Sequence, residues 1–431
     1  MLRSLVGSEM CIRDSLYIEN EMLKNIVIIN DSASINGGAG KVALTSAIGL
    51  ANCGYNVIIF AALGPVDKRL ENIINLRIIC LNQMDILSDP NRWRAVKQGV
   101  WNKVAYKELD NLLLTLNPKD TIVHFHAWIK SLSASLFSIT AKYNLKIVIT
   151  LHDYFLFCPN GGLFNYQTKK ICKVKASSLR CLLCNCDSRS YLQKVWRYVR
   201  QMIQQHVFYT NKEINIIYIS KLNKDISYPY LHTHTNRWYF VQNPIELNLQ
   251  EPVNIVYNKK YLFIARLSSE KGIELFCRAM TDLNLEGCVL GDGYLKESLQ
   301  QKYPNVEFVG WVTGRTKDLF IRQGKALVFP SLWYEGAPLT IVEMKSYGIP
   351  CIVPDQCSAS EEIIDGQTGY IFKTGDLDSL KLAIRKYENA DIQEKQDKLL
   401  SAFDLNKYTM ENHCVELIKV YNDILDLSLI H

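Results

Sequence analysis

Apolar residues fall into short continuous runs, each separated from the next by a turn and a stretch with a three-to-four-residue period. Runs at 25–30, 57–60, 121–125, 146–151, 214–219 and 239–242 are bounded by Gly, Pro, Asn or Asp. Runs of this length read as buried strands, whereas the periodic stretches at 41–52, 91–116, 131–143 and 191–209 read as helices. Alternation of the two predicts a parallel sheet wrapped by helices. Asn243-Pro244-Ile245 then turns the chain out of this first unit. The pattern restarts with strands at 261–265, 288–290, 306–309, 326–329 and 351–353 and helices at 273–280, 377–387 and 406–427. The prediction is an α/β chain of two Rossmann-like, doubly wound domains, 22–246 and 259–404. A linker at 247–258 joins them, and 405–431 is a C-terminal helix that packs back on the first domain. Residues 1–21 and 427–431 resemble translated adapter read-through and are expected to carry no function.

One segment breaks the alternation. Residues 153–187 hold Cys158, Cys172, Cys181, Cys184 and Cys186 among glycines, lysines and asparagines, with little apolar content to fold around. Cys181-Leu-Leu-Cys184 has the spacing at which two thiolates grip one tetrahedral ion, and Cys158 and Cys172 would complete a structural Cys₄ zinc site. Cys186 is the spare, because one residue beyond Cys184 is a poor bite for the same ion.

Charge is uneven. The net +6 divides into 29 Lys+Arg against 17 Asp+Glu before residue 247, and 20 against 26 after it. Lys169 to Lys212 alone carries ten cations and one acid. A basic first half points to an anionic partner, and its helix at 191–209, with Trp196 and Tyr198 among cations, points to an anionic membrane surface. Nucleic acid is not expected, since the cluster is all cysteine and has no zinc-finger histidine pair. No apolar run reaches the ~18 residues of a membrane span. The expected compartment is the cytoplasm, where thiols stay reduced, at the inner membrane face.

The chemistry concentrates at 330–343. A strand ends at Pro330, a loop carries Glu335 and Gly336, and Pro338 suits the first turn of a helix. Backbone donors beyond it, on Leu339 and Thr340, have no intrahelical acceptor and form an anion site. Glu335 and Glu343 would repel a phosphate but can accept hydrogen bonds from sugar and ribose hydroxyls. Gly37 and Gly38 follow the first strand and let backbone approach a ligand. His124, His126 and His152 sit at the carboxyl ends of strands, where ligands bind in such sheets.

Together, Glu335-x7-Glu343, Arg266 with Lys271-Gly272, the Gly37-Gly38 loop, Gly291-Asp-Gly293 and Phe308-Val-Gly310 resemble the retaining nucleotide-sugar glycosyltransferases of GT-B fold. His152-Asp-Tyr-Phe-Leu-Phe-Cys158-Pro-Asn-Gly-Gly162 is similar to a subset with a Cys-rich insertion. The resemblance implies two facing Rossmann-like domains and transfer of a hexosyl unit from a UDP or GDP sugar to a saccharide or lipid-linked acceptor in surface polysaccharide synthesis. It implies that Arg266 and Lys271 hold the donor diphosphate without a catalytic metal, and that Glu343 takes the ribose. It also implies that Glu335 and His126 contact the transferred sugar, and that Gly336, Leu339 and Thr340 offer backbone donors. Ala265 and Met344 replace the family's usual Gly and Ala. The alternatives are another GT-B chemistry, a phosphorylase or a hydrolysing epimerase, and a non-catalytic binding protein of the same fold.

Overall fold

The computed structural model describes residues 23–426 apart from 36, 212 and 247–250, so the segments 1–21 and 427–431 lie outside it. The first domain runs β1 (Asn25–Ser32), α1 (Gly38–Asn52), β2 (Asn56–Leu63), β3 (Leu76–Cys80), α2 (Arg92–Val100), α3 (Lys103–Leu113), β4 (Thr121–Phe125), α4 (Ser135–Lys142) and β5 (Lys146–Thr150). It continues with a small hairpin, β6 (Phe164–Asn165) and β7 (Lys170–Ile171), then α5 (Leu179–Leu183), α6 (Tyr191–Thr210), β8 (Ile214–Tyr218), α7 (Lys221–Leu231) and β9 (Trp238–Phe240). Seven strands form one parallel sheet in the order β3-β2-β1-β4-β5-β8-β9.

The second domain runs β10 (Lys260–Ile264), α8 (Ile273–Leu283), β11 (Gly287–Leu290), α9 (Lys296–Lys302), β12 (Val306–Gly310), α10 (Gly314–Ile321) and β13 (Gly324–Val328). Then come α11 (Leu339–Ser346), β14 (Cys351–Pro354), β15 (Gly369–Phe372), α12 (Leu377–Glu388), α13 (Ile392–Ala402) and α14 (Met410–Asp426). Its six-stranded parallel sheet has the order β12-β11-β10-β13-β14-β15. In both sheets the winding reverses beside the first strand, between β1 and β4 and between β10 and β13. At such a switch point the loops diverge and leave a crevice for ligand. The fold is GT-B.

The strands are buried because their side chains meet apolar layers on both faces, as in any parallel sheet covered by helices. One face of the first sheet packs under Trp128, Phe137, Leu109 and Phe208. The other face is covered by α1 and, from the far end of the chain, by α14 through Cys414, Leu417, Tyr421, Ile424 and Leu425. A buried polar bond fixes this return. His124 Nδ1 lies 2.6 Å from the Tyr421 hydroxyl, and His124 Nε2 lies 2.7 Å from Thr150 Oγ1. With both ring nitrogens occupied inside the core, His124 is a structural residue and not part of a ligand site.

Several details depart from the periodicity. The single helix expected at 91–116 is two, α2 and α3, because Asn102 Oδ1 accepts the Ala105 N–H at 3.0 Å and caps a new helix. Strand β3 and helix α7 are additional. The start of α7 is held from the other domain, where the Glu361 carboxylate accepts the N–H groups of Lys221 at 2.9 Å and Leu222 at 2.6 Å. Pro338 is the N-cap of α11 and not its first helical residue.

Tyr421→Phe removes the partner of a buried imidazole and keeps the ring. It is expected to cost about 1–2 kcal/mol, read as a lower midpoint in thermal or urea unfolding. An unchanged midpoint would mean that His124 does not depend on the bond.

Candidate functional site

Strands β10 and β13 are neighbours and parallel, so the loops that leave them open on the same edge of the sheet. Gly272 lets these loops close on each other. Its φ of 70° is left-handed, and a Cβ there would overlap the carbonyl oxygen of Pro330. This approach sets Lys271 against Glu335. The Glu335 carboxylate accepts from Lys271 Nζ, from Trp333 Nε1 at 2.6 Å and from Ser331 Oγ at 3.0 Å. Burial alone would push its carboxyl up, but the Lys271 charge and these three donors together outweigh burial and hold it below the usual carboxylate range. Arg266 stands beside the pair with its side chain 64% exposed, tethered to the buried Glu270 at 2.7 Å. Glu270 is itself fixed by Ser268 Oγ at 2.7 Å.

Helix α11 begins where the Glu335 loop ends. No side chain caps it, so Leu339 and Thr340 are placed in its uncapped first turn. One turn in, both Glu343 oxygens accept from Lys317 Nζ on α10, at 2.5 and 2.7 Å. Nothing in the local sequence marks Lys317. Lysines on helix surfaces are common, and only the fold brings this one to Glu343. Further along the same domain, Asp376 caps α12 through the Ser379 N–H, and Asp378 pairs with Lys381.

The facing wall belongs to the first domain. Asn30, Gly37, Gly38, His126, Lys130 and Asp153 line a cavity of about 200 Å³. Gly37, at φ 144°, and Gly38 have open space on the side a Cβ would take. His126 Nδ1 lies 2.9 Å from His152 Nε2, while His126 Nε2, buried, has no hydrogen-bond partner among the described residues. Both rings are kept neutral. Burial is the main cause, aided for His126 by the neighbouring imidazoles, and for His152, brought down to about 3, by His413. Asp153 also borders the cavity, and its Oδ1 accepts the Phe155 N–H at 2.9 Å. The two walls touch. Gly336 packs on Ile219 and near the His152 carbonyl, Tyr154 meets Tyr334 edge to face at 6.4 Å, and Gly162 lies against the Trp333 ring.

The cysteines are not gathered as the spacing suggested. Among the described residues no group of three or more His, Cys, Asp or Glu is disposed to hold an ion. Cys158, whose thiol is pushed up to about 12 by burial, bonds to Asn160 Oδ1 at 3.1 Å. Cys181 accepts from Lys194 Nζ at 3.2 Å and Cys184 from Asn165 Nδ2 at 3.6 Å. Cys186, the expected spare, accepts from Asn160 Nδ2 at 3.4 Å. Cys172 is half-buried.

Residues 248–403 match the family of glycosyl transferases group 1. The chain is 26% identical over 314 residues to an uncharacterised 41.2 kDa protein from the cps region of Klebsiella pneumoniae, covering 68% of this chain and 85% of that protein. It is 28% identical over 150 residues to a UDP-Gal:alpha-D-GlcNAc-diphosphoundecaprenol alpha-1,3-galactosyltransferase of Escherichia coli, covering 33% of this chain and 36% of that enzyme. In three dimensions it is similar to sucrose-phosphate synthase of Thermosynechococcus elongatus, with a TM-score of 0.67, 16% identity, and 94% of this chain and 100% of that chain covered. The structural likeness carries the GT-B fold; the family match and the relatives support a glycosyltransferase.

The neutral histidines make stability depend on pH with a definite sign. Their folded pKa values lie below the unfolded value, so below about pH 6.5 the unfolded chain binds protons that the folded chain excludes. Stability is therefore lost as pH falls from about 6.5 toward 3. His152→Gln is expected to make this acid-side fall in unfolding midpoint shallower by about one proton. An unaltered slope would show that His152 titrates freely.

Proposed function

We propose that the chain is a retaining glycosyltransferase. In this reading it moves a hexosyl unit from a UDP or GDP sugar to a saccharide or lipid-linked acceptor in surface polysaccharide synthesis. The observation that carries the reading is the convergence of Arg266, the Lys271–Glu335 pair and the uncapped start of α11 on one edge, within the stretch that matches group 1 glycosyl transferases. The relative from Escherichia coli acts, by its name, from a UDP sugar onto a lipid-diphosphate acceptor. The relative from Klebsiella pneumoniae lies in a cps region.

The charges suggest how a donor is handled. A helix start and an exposed guanidinium together favour a diphosphate. Lys271, already neutralised by Glu335, can bridge that carboxylate and a phosphate oxygen, which places Glu335 beside the sugar attached to it. Gly37 and Gly38 leave room for the same phosphates from the first domain. Gly336, Leu339 and Thr340 offer N–H groups, and Glu343, steadied by Lys317, accepts from ribose hydroxyls. The free Nε2 of His126 suits a hydrogen bond to the transferred sugar, and a neutral imidazole adds no charge to a developing oxocarbenium ion. Retention follows if the departing phosphate oxygen takes the acceptor proton on the same face. The protein then contributes positioning and charge stabilisation, and the chemistry needs no catalytic metal.

Melting-temperature shifts with UDP, GDP and their common sugars test the reading, since a ligand that binds only the folded chain raises its stability. One nucleotide family should stabilise the protein, with or without chelator. Arg266→Ala and Lys271→Ala should each weaken that binding by on the order of 2–3 kcal/mol. Glu335→Ala should depress turnover more than nucleotide affinity, and equal loss of affinity in all variants would defeat the assigned roles.

For the insertion we propose one structural zinc ion on Cys158, Cys172, Cys181 and Cys184. What supports it is the set of N–H groups directed at sulfur from Lys194 and Asn165, the kind of bond that steadies metal thiolates. The side chains would have to turn toward a shared point, and binding and local ordering would then be one equilibrium. Purified protein should hold about one zinc per chain, lost in Cys181→Ser/Cys184→Ser. Zinc-free protein with unchanged stability would end this reading.

A further inference from the structure

In α6 the usual sidedness of a surface helix is reversed. Toward the domain it buries Lys194, Arg200, Gln201 and Gln204 beside Val207 and Phe208. Specific bonds hold these polar groups inside. Gln201 Nε2 donates to the Leu156 carbonyl at 2.7 Å, and Gln204 Nε2 donates to the Phe155 carbonyl at 2.7 Å while its Oε1 accepts from Trp128 Nε1 at 2.9 Å. Toward solvent the helix shows Leu192, 81% exposed, then Val199, Met202 and Tyr209, all exposed. Steps of seven, three and seven residues keep these four on one stripe.

The stripe does not stand alone. Beside it α2 exposes Trp93 (78%) and Val96, and α5 exposes Leu179 (77%) and Leu183 (75%). An apolar groove of about 190 Å³, lined by Leu87, Val96, Leu192 and Trp196, joins α2 to α6. The Tyr191 hydroxyl donates to the Leu182 carbonyl at 3.1 Å and ties α5 to the same face. Apolar side chains grouped this way on an outer surface mark an interaction site.

Charge says what covers it. The chain has no Asp or Glu from Ser188 to Lys212. Exposed Arg92, Arg94, Lys97, Arg180 and Arg189 surround the apolar residues. Of the acids nearby, Asp89 pairs with Arg94 at 2.8 Å, Asp187 pairs with Arg197 at 3.2 Å, and Asp85 accepts the Leu87 N–H at 2.7 Å. Arg92 donates to the carbonyls of Ile86, Leu87 and Asp89, which leaves its charge unopposed by those bonds. A second copy of the chain would set these cations against their own kind, with no acids on the stripe to pair them. An anionic bilayer supplies both an apolar layer and the opposite charge.

We propose that this face lies on an anionic lipid bilayer, with Leu192, Val199, Met202, Trp93, Leu179 and Leu183 at headgroup depth and the arginines and lysines among the phosphates. Among the described residues no helix is long and apolar enough to cross a membrane, so the contact is lateral. The inference deepens the proposed lipid-linked acceptor, and rests on it only for its purpose: the first domain would meet a carrier lipid where that lipid resides.

Flotation of the full chain with phosphatidylcholine vesicles, with and without phosphatidylglycerol, tests the surface. The chain should float with the anionic vesicles and less so as salt rises. Leu192→Glu/Val199→Glu should lower vesicle affinity at least about tenfold while leaving the melting temperature unchanged. Leu382→Glu, an exposed apolar position on the second domain, should float like the parent. No flotation of the parent, or equal flotation of the double variant, overturns the proposal. So does a concentration-dependent dimer that the double variant dissociates, since the occupant is then a second copy. Vesicle binding without any nucleotide stabilisation would overturn the transferase reading and leave the membrane face standing.

Discussion

The contact between Lys271 and Glu335 is the constraint on which the cleft depends. It joins the loops leaving two adjacent strands, and it exists only because Gly272 allows one loop to lie against the Pro330 carbonyl. A carboxylate this enclosed needs a cation and several donors to stay ionised. Trp333 and Ser331 supply donors from the same loop as the acid, so the loop's shape and the acid's charge are maintained together. The neighbouring acids follow the same plan, Glu270 with Arg266 and Glu343 with Lys317. The cleft is thus rich in charge yet locally neutral. On the proposed function, an incoming dianion would exchange partners there instead of filling an unbalanced positive hole.

How much of this could be read from the chain differs by element. Strands such as β1 and β5 are runs of Ile and Val covered on both faces, and such runs stand out without any structure. β3 does not, because Arg77 interrupts it and its positions are only half-buried. Helix α7 has a weak apolar period, contains Pro229, and is steadied by Glu361 from the other domain, a tertiary bond with no local signal. The two glutamates and the glycine loops announced a site, yet their partners did not. The spacing of His124 and His126 suggested a shared task. One closes a core contact with Tyr421, and the other, two residues on and past the strand's end, reaches the cavity. The cysteine spacing announced a cluster, but not the asparagines and the buried lysine whose N–H groups reach its sulfurs.

The Cys-rich segment and α6 belong together physically. Phe155 and Leu156 present carbonyls inward, and Gln204 and Gln201 of α6 satisfy them, so the helix turns these polar positions to the loop while Leu192, Val199, Met202 and Tyr209 face outside. Unpaired carbonyls in that place would be costly. The unusual outer face of α6 is therefore bound up with the irregular backbone it supports. That backbone carries Gly162 to the Trp333 ring beside Glu335.

The return of α14 to the first domain has a mechanical meaning. The polypeptide passes between the lobes twice, once after Ile245 and once just before Met410. The N–H of Ile245 donates to the Tyr408 carbonyl at 2.9 Å, which clamps the two passages side by side. Two strands of chain held at one point behave as a knuckle joint and not as a tether. The Glu361 bonds at the start of α7 and the Tyr154–Tyr334 contact tie the lobes a second time nearer the cleft, so opening the cleft would part those contacts while the clamp can stay closed.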